Sequence, residues 1–169
     1  MGTGFMLLET QVLSRLALYF GTTWQVNGIV ISALLISLLA ANAIAAKRRA
    51  ISRGLILCGL FIGLAIAYFT PFPALPFHPA TVGIIAAVIF AIPVFFAGLL
   101  FSREFASAFS PSAALGANVL GAVLGGLLEN LSLLIGMRAL LLVAAVVYAV
   151  ASLALTRKHN ARVGSSEAV

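Results

Sequence analysis

Two carboxylates, Glu9 and Glu129, and two carboxamides, Asn42 and Asn118, interrupt stretches of sequence that are otherwise hydrocarbon. A carboxylate in such a setting must be paired, hydrogen-bonded or protonated, because an unpaired charge away from water costs several kcal/mol. If its surroundings can hold it neutral, it can carry protons; if a fixed donor holds it, it locks two elements together. These four residues are the candidate polar and functional positions of the chain. Little else suggests chemistry. Cys58 is the single cysteine and lies in an apolar run, which excludes an internal disulfide and a multi-thiolate metal site. His78 sits in a proline-rich stretch and His159 near the C-terminal end, neither with a second ligand at metal-binding spacing. No nucleophile and base fall into a recognisable arrangement, so the sequence carries no catalytic constellation and implies no cofactor and no metal.

The elements that hold these residues are written in the hydropathy. The chain is 63% hydrophobic and 8% charged, with mean hydropathy +1.18, whereas charged residues make up roughly a quarter of a soluble domain. Apolar runs of about 20 residues match the thickness of a bilayer core, where only a helix satisfies its own backbone. The net charge of +6 comes from short basic runs beside apolar segments, a pattern that topology explains better than nucleic acid does. The N-terminus has no basic stretch, and Gly4 to Leu8 is too short for a signal-peptide core, so the first segment is expected to be retained.

Six apolar segments follow one another: Phe5 to Phe20, Val26 to Ala46, Gly54 to Thr70, Val82 to Phe101, Ala113 to Ile135 and Ala139 to Leu155. The first is short and carries Glu9, Gln11, Ser14 and Arg15, so it either spans or lies at the interface. Pro71, Pro73 and Pro76 stop any helix between the third and fourth, while Pro93 is expected to bend the fourth. Ser102 to Ser112 reads as a polar connection, and Gly136-Met137-Arg138 as a tight turn. The predicted fold is all-α, a polytopic transmembrane bundle of six helices forming one domain over residues 1–156. Residues 157–169 are expected to be a basic, then polar, disordered tail. Placing Lys47 to Arg53 in the cytoplasm puts eight of the ten Lys and Arg residues there, with Arg138 alone outside and Arg15 within a segment. Both chain ends are then cytoplasmic, and the membrane is a bacterial inner membrane.

In lipid, helices associate through close backbone approach and interhelical hydrogen bonds. On the fifth segment Asn118, Ala122, Gly125, Glu129 and Ser132 fall within about 40° of one direction, with Gly121 beside them. Gly121, Ala122, Gly125 and Ser132 therefore form a predicted helix-packing face. On the first segment Glu9 shares a face with Phe5, Val12, Leu13 and Leu16, while Gln11, Ser14 and Arg15 point away. Counting rises from the helix ends places Glu9, Asn42 and Asn118 at one depth, which predicts a polar layer joining them.

Particular strings add a resemblance. Gly4-Phe5-Met6-Leu7-Leu8-Glu9-Thr10, Leu18-Tyr19-Phe20-Gly21-Thr22-Thr23-Trp24-Gln25-Val26-Asn27 and Ala41-Asn42 resemble, in order, the C-terminal membrane region of bacterial spermidine synthase-like membrane proteins. The runs from Pro93 to Ser102 and from Leu115 to Glu129 are similar to that region as well. The resemblance covers most of Gly2 to Leu155. In that family a Rossmann-type domain precedes the membrane part, and nothing in these 169 residues corresponds to it. What the resemblance implies is a stand-alone, non-catalytic membrane module. Its expected partners are the lipid bilayer and a membrane protein, a separate synthase-like subunit or further copies of itself. The alternative is a small transporter or half-transporter whose pathway passes the intramembrane carboxylates.

Overall fold

The structure, a computed structural model, describes residues 1–21, 23–47 and 51–166, the side chains of Gln25, Val26, Pro73, Pro79, Ile135 and 156–166 excepted. Arg48 and Arg49, counted above toward the positive charge, and the last three residues of the tail lie outside the described residues. Among the described residues there are helices and no strand. The order is α1 (Gly2–Phe20), α2 (Trp24–Lys47), α3 (Arg53–Phe69), a single 3-10 turn (Phe72–Ala74), α4 (Pro79–Ala106), α5 (Pro111–Glu129), the four-residue α6 (Ser132–Ile135) and α7 (Met137–Ser166). Four stretches are long and apolar enough to cross a membrane: Asn27–Lys47, Ala80–Ala106, Pro111–Leu134 and Met137–Leu155.

Local chemistry sets most boundaries. Ser52 and Ser110 cap α3 and α5 by accepting from the backbone N–H of Leu55 and Ala113, and Pro79 and Pro111 occupy first turns where a missing N–H costs nothing. Gly136 turns the chain between α6 and α7 at φ +82, a conformation that suits glycine. Three boundaries depart from expectation. The fourth helix does not stop at Phe101 but continues to Ala106, because Arg103 and Glu104 are good helix formers and find partners in the Ile51 carbonyl and in Arg53 at the start of α3. The fifth does not run unbroken to Ile135: it ends at Glu129, and a turn at Asn130 and Leu131 sets off α6. α7 does not end near Leu155, where its apolar part ends, but stays helical through Ser166; residues 156–163 contain neither Pro nor Gly.

Neighbouring side chains give the helix directions. Gly2 meets Asn118 and Ala122, Thr3 meets Gly121 and Gly125, and Thr10 meets Glu129, so α1 and α5 run parallel. Gly83 lies against Tyr19 and Phe20 while Gly4 lies against Tyr148, so α4 and α7 run antiparallel to α1. Leu38 packs on Gly98, and Gly59 and Gly63 pack on Phe96 and Pro93, which makes α2 parallel and α3 antiparallel to α4. The helices thus alternate in direction along the chain. One end of the bundle gathers Lys47, Arg53, Arg103 and Glu104; the other gathers the proline-rich connection and Gly136.

At the centre stands α1. Leu7, Leu8, Val12 and Leu16 are buried together with Val82, Ala86, Phe90 and Val94 of α4 and Leu140, Leu141, Ala144 and Tyr148 of α7. The first helix, read from sequence as possibly interfacial because of its polar residues, is the innermost element. Its 19 residues extend about 28 Å at 1.5 Å each. Around it the apolar spans are buried to very different extents. Only 6% of the apolar stretch in Pro111–Leu134 and 11% of that in Asn27–Lys47 is buried, against 44% for Ala80–Ala106. In the proline-rich connection Phe72 is 1% exposed and stacks on Phe90 at 5.7 Å between ring centres, closing one end of the core.

Candidate functional site

The polar residues of α1 and their surroundings form the candidate site. Thr10 is 7% exposed, and its hydroxyl donates to Glu129 Oε2 at 3.1 Å. Glu129 thus reaches the central helix from the last turn of α5. What brings the two helices so close is the small-residue face: a Cβ on Gly125 would stand 2.7 Å from the Thr3 carbonyl oxygen and 2.8 Å from Met6 Cβ. At Gly121 it would stand 3.1 Å from Thr3 N. Gly121 and Gly125 therefore serve contact within the chain, with Ala122 against Gly2. Ser132, half-buried, lies beyond the turn at Asn130 and Leu131, at the start of α6.

Next along α1, Gln11 is wholly buried, and neither its amide oxygen nor its amide nitrogen finds a partner. One turn on, Arg15 is 8% exposed with Nε unpartnered. Arg138, exposed on the first turn of α7, is close enough to act on it electrostatically. The predicted orientation of α1 holds only in part: Val12 and Leu16 of the apolar face are buried, but so are Gln11 and Arg15, expected to point away, while Glu9 is only half-buried and forms no hydrogen bond or ion pair among the described residues. The helical wheel assumed that one apolar face meets the bundle, but α1 is surrounded by α4, α5 and α7. α7 meets α1 with Tyr148 against Gly4, and the stripe Gly4, Leu8, Gln11 and Arg15 runs from that contact toward the level where α7 begins.

The predicted layer of Glu9, Asn42 and Asn118 is not formed. Asn42, exposed near the end of α2, accepts a hydrogen bond from the Ser102 hydroxyl of α4. Asn118 lies beside Gly2, seven residues or about 10 Å along α1 from Glu9. Counting from assumed helix ends misjudged the depth because α1 begins at Gly2, three residues earlier than the apolar run.

Two features had no place in the sequence reading. Gly59 and Gly63 make a second GxxxG pair, on α3; Cβ atoms there would stand 2.5 Å from the Phe96 ring and 3.0 Å from Ile92 Cγ2. Its spacing is visible in sequence, but no polar residue draws attention to it. The charged end of the bundle is the second. Arg53 Nη2 donates to the Ser152 carbonyl at 2.8 Å, Arg53 Nε lies 3.5 Å from Glu104 Oε1, and Arg103 donates to the Ile51 carbonyl. Beside them a wide cleft of about 1240 Å³ opens between α4, α5 and α7, with Phe105, Phe109 and Asn118 on its walls. Among the described residues no three of His, Cys, Asp and Glu gather in a group that could hold a metal ion.

No family model, curated protein or solved structure matches the chain.

Proposed function

We propose that this chain is an integral membrane module without catalysis of its own, a six-helix bundle that packs against a partner membrane protein or a second copy of itself. The carrying observation is the disposition of its polar and apolar residues. Glu129 is held by Thr10 and Asn42 by Ser102, while α2 and α5 present Ile29, Leu35, Leu39, Leu120, Leu124 and Leu127 outward. Leucine and isoleucine in such numbers on the outside suit lipid and helix partners alike. Positive charge at the Lys47, Arg53 and Arg103 end favours the cytoplasm for that end, hence for the C-terminus, in a bacterial inner membrane. The resemblance to the membrane part of spermidine synthase-like proteins makes a separately encoded synthase-like subunit the partner to try first.

A photo-crosslinking residue at Leu124, introduced in the native membrane, is expected to capture one defined protein or a second copy, whereas the same residue at buried Leu8 captures neither. Lipid adducts alone at Leu124, Leu120 and Leu127 would overturn the partner. Transport by the intramembrane carboxylates is the competing reading: solute flux in proteoliposomes that Glu129→Gln abolishes with the fold intact would establish it instead.

A further inference from the structure

Arg15 is a charged side chain of α1 held inside the bundle with no counter-charge among the described residues. It is more than nine-tenths buried, its Nε has no acceptor, and among the described residues no carboxylate pairs with it. The charge that acts on it from α7 is that of another cation, Arg138. One turn deeper on the same face, the Gln11 amide is fully buried with both polar atoms unpartnered. The antiparallel register set by Gly4 on Tyr148 brings Arg138 level with Arg15, so two guanidiniums and the Gln11 amide lie at one end of the α1–α7 contact, with no carboxylate among the described residues paired to Arg15. A buried cation without a counter-charge is strongly destabilising, and two that repel each other are worse. A guanidinium is planar and meets an oxyanion through two parallel N–H···O bonds, so a pair of them suits a group with several anionic oxygens.

We propose that Arg15 and Arg138, with the Gln11 amide beneath them, form a binding site for a phosphate group. The site lies five residues, about 8 Å, from the end of α1 at Phe20. From there a long arginine side chain reaches the headgroups of a bilayer whose hydrocarbon the helix crosses, so the phosphate can come from a phospholipid or from free phosphate in solution. Arg138, exposed, receives the group, and Arg15 holds it from within the bundle.

The test uses the full chain, stripped of lipid in detergent, with Arg138→Gln as the main variant because an exposed side chain can be changed without disturbing the core. Lys47→Gln, exposed at the opposite end, is the control for general charge. Phosphatidylglycerol is offered in one arm, read by native mass spectrometry, and inorganic phosphate in the other, read by thermal unfolding. Wild type and Lys47→Gln are expected to retain a single phosphatidylglycerol about tenfold more than Arg138→Gln. Phosphate alone raising the unfolding temperature of wild type but not of Arg138→Gln supports the site with free phosphate as its source. Equal behaviour of wild type and Arg138→Gln in both arms overturns the proposal, as does an equal loss in Lys47→Gln. The lipid arm rests on the membrane reading above and the phosphate arm does not; neither depends on the crosslinks that test that reading.

Discussion

The first and fifth helices are each 19 residues long and run side by side, yet they are built on opposite plans. α1 carries Glu9, Thr10, Gln11, Ser14 and Arg15 and is buried nearly all round; α5 is mostly Ala, Leu, Val and Gly and buries only Gly125. In water the apolar helix would be the hidden one. In hydrocarbon the preference reverses, since lipid solvates leucine as well as a neighbouring helix does but solvates glutamine and arginine poorly. For this pair burial follows polarity and backbone closeness, whereas α4, the most hydropathic of the four spans, is also the most buried of them.

The sharpest way to break that contrast is to enlarge the contact where the two helices touch. Gly125→Leu is expected to cost about 3 kcal/mol, since its side chain must displace the backbone at Thr3. Leu124→Ala, at a position 56% exposed, should stay within about 0.5 kcal/mol. Unfolding in a graded detergent mixture reads both, and equal effects would remove the close-contact argument. A smaller difference of opposite signs tests burial helix by helix. Gly4→Ala on α1 should cost about 1 to 2 kcal/mol, because its Cβ would come 2.7 Å from the buried Tyr148 ring. Gly28→Ala on α2 has open space around it and should gain about 0.5 to 1 kcal/mol from helix propensity alone. If both shift the unfolding temperature the same way, α1 is no more enclosed than α2.

Hydrogen bonding separates the two carboxylates. Thr10→Val keeps the shape but removes the donor to Glu129, for an expected loss of about 1 kcal/mol. Glu9→Gln should change stability by less than about 0.5 kcal/mol, since the half-buried Glu9 has no partner to lose among the described residues. A larger loss from Glu9→Gln than from Thr10→Val would reverse the ranking of the two and return Glu9 to the centre of the problem.

The existence and order of the helices could be read from the sequence, because apolar runs about as long as a bilayer is thick, broken by Pro, Gly and charge, leave few alternatives. The face of α5 could be read as well, since Gly121 and Gly125 share a side with Glu129. Which way α1 faced could not. A helical wheel ranks faces by polarity on the assumption of one solvent, and it cannot tell a helix with a single covered side from one covered on three. The break after Glu129 was equally hidden, as Asn130 and Leu131 are ordinary within a helix. Arg15 and Arg138 lie 123 positions apart in the sequence, and only the antiparallel register of α1 and α7 makes them neighbours.

The central position of α1 has a consequence for how the protein is made. α1 precedes α4, α5 and α7 in the chain, so it leaves the ribosome before any helix that covers Gln11 and Arg15 exists. An arginine at the centre of a lone helix costs about 2.5 to 3.5 kcal/mol to insert, and Arg15, five residues from the end of α1, costs part of that. While the chain is short, α1 is therefore better placed at the headgroups than across the membrane. It is synthesised before the helices that cover it and seated after them, drawn into a ring of helices that the later part of the chain supplies.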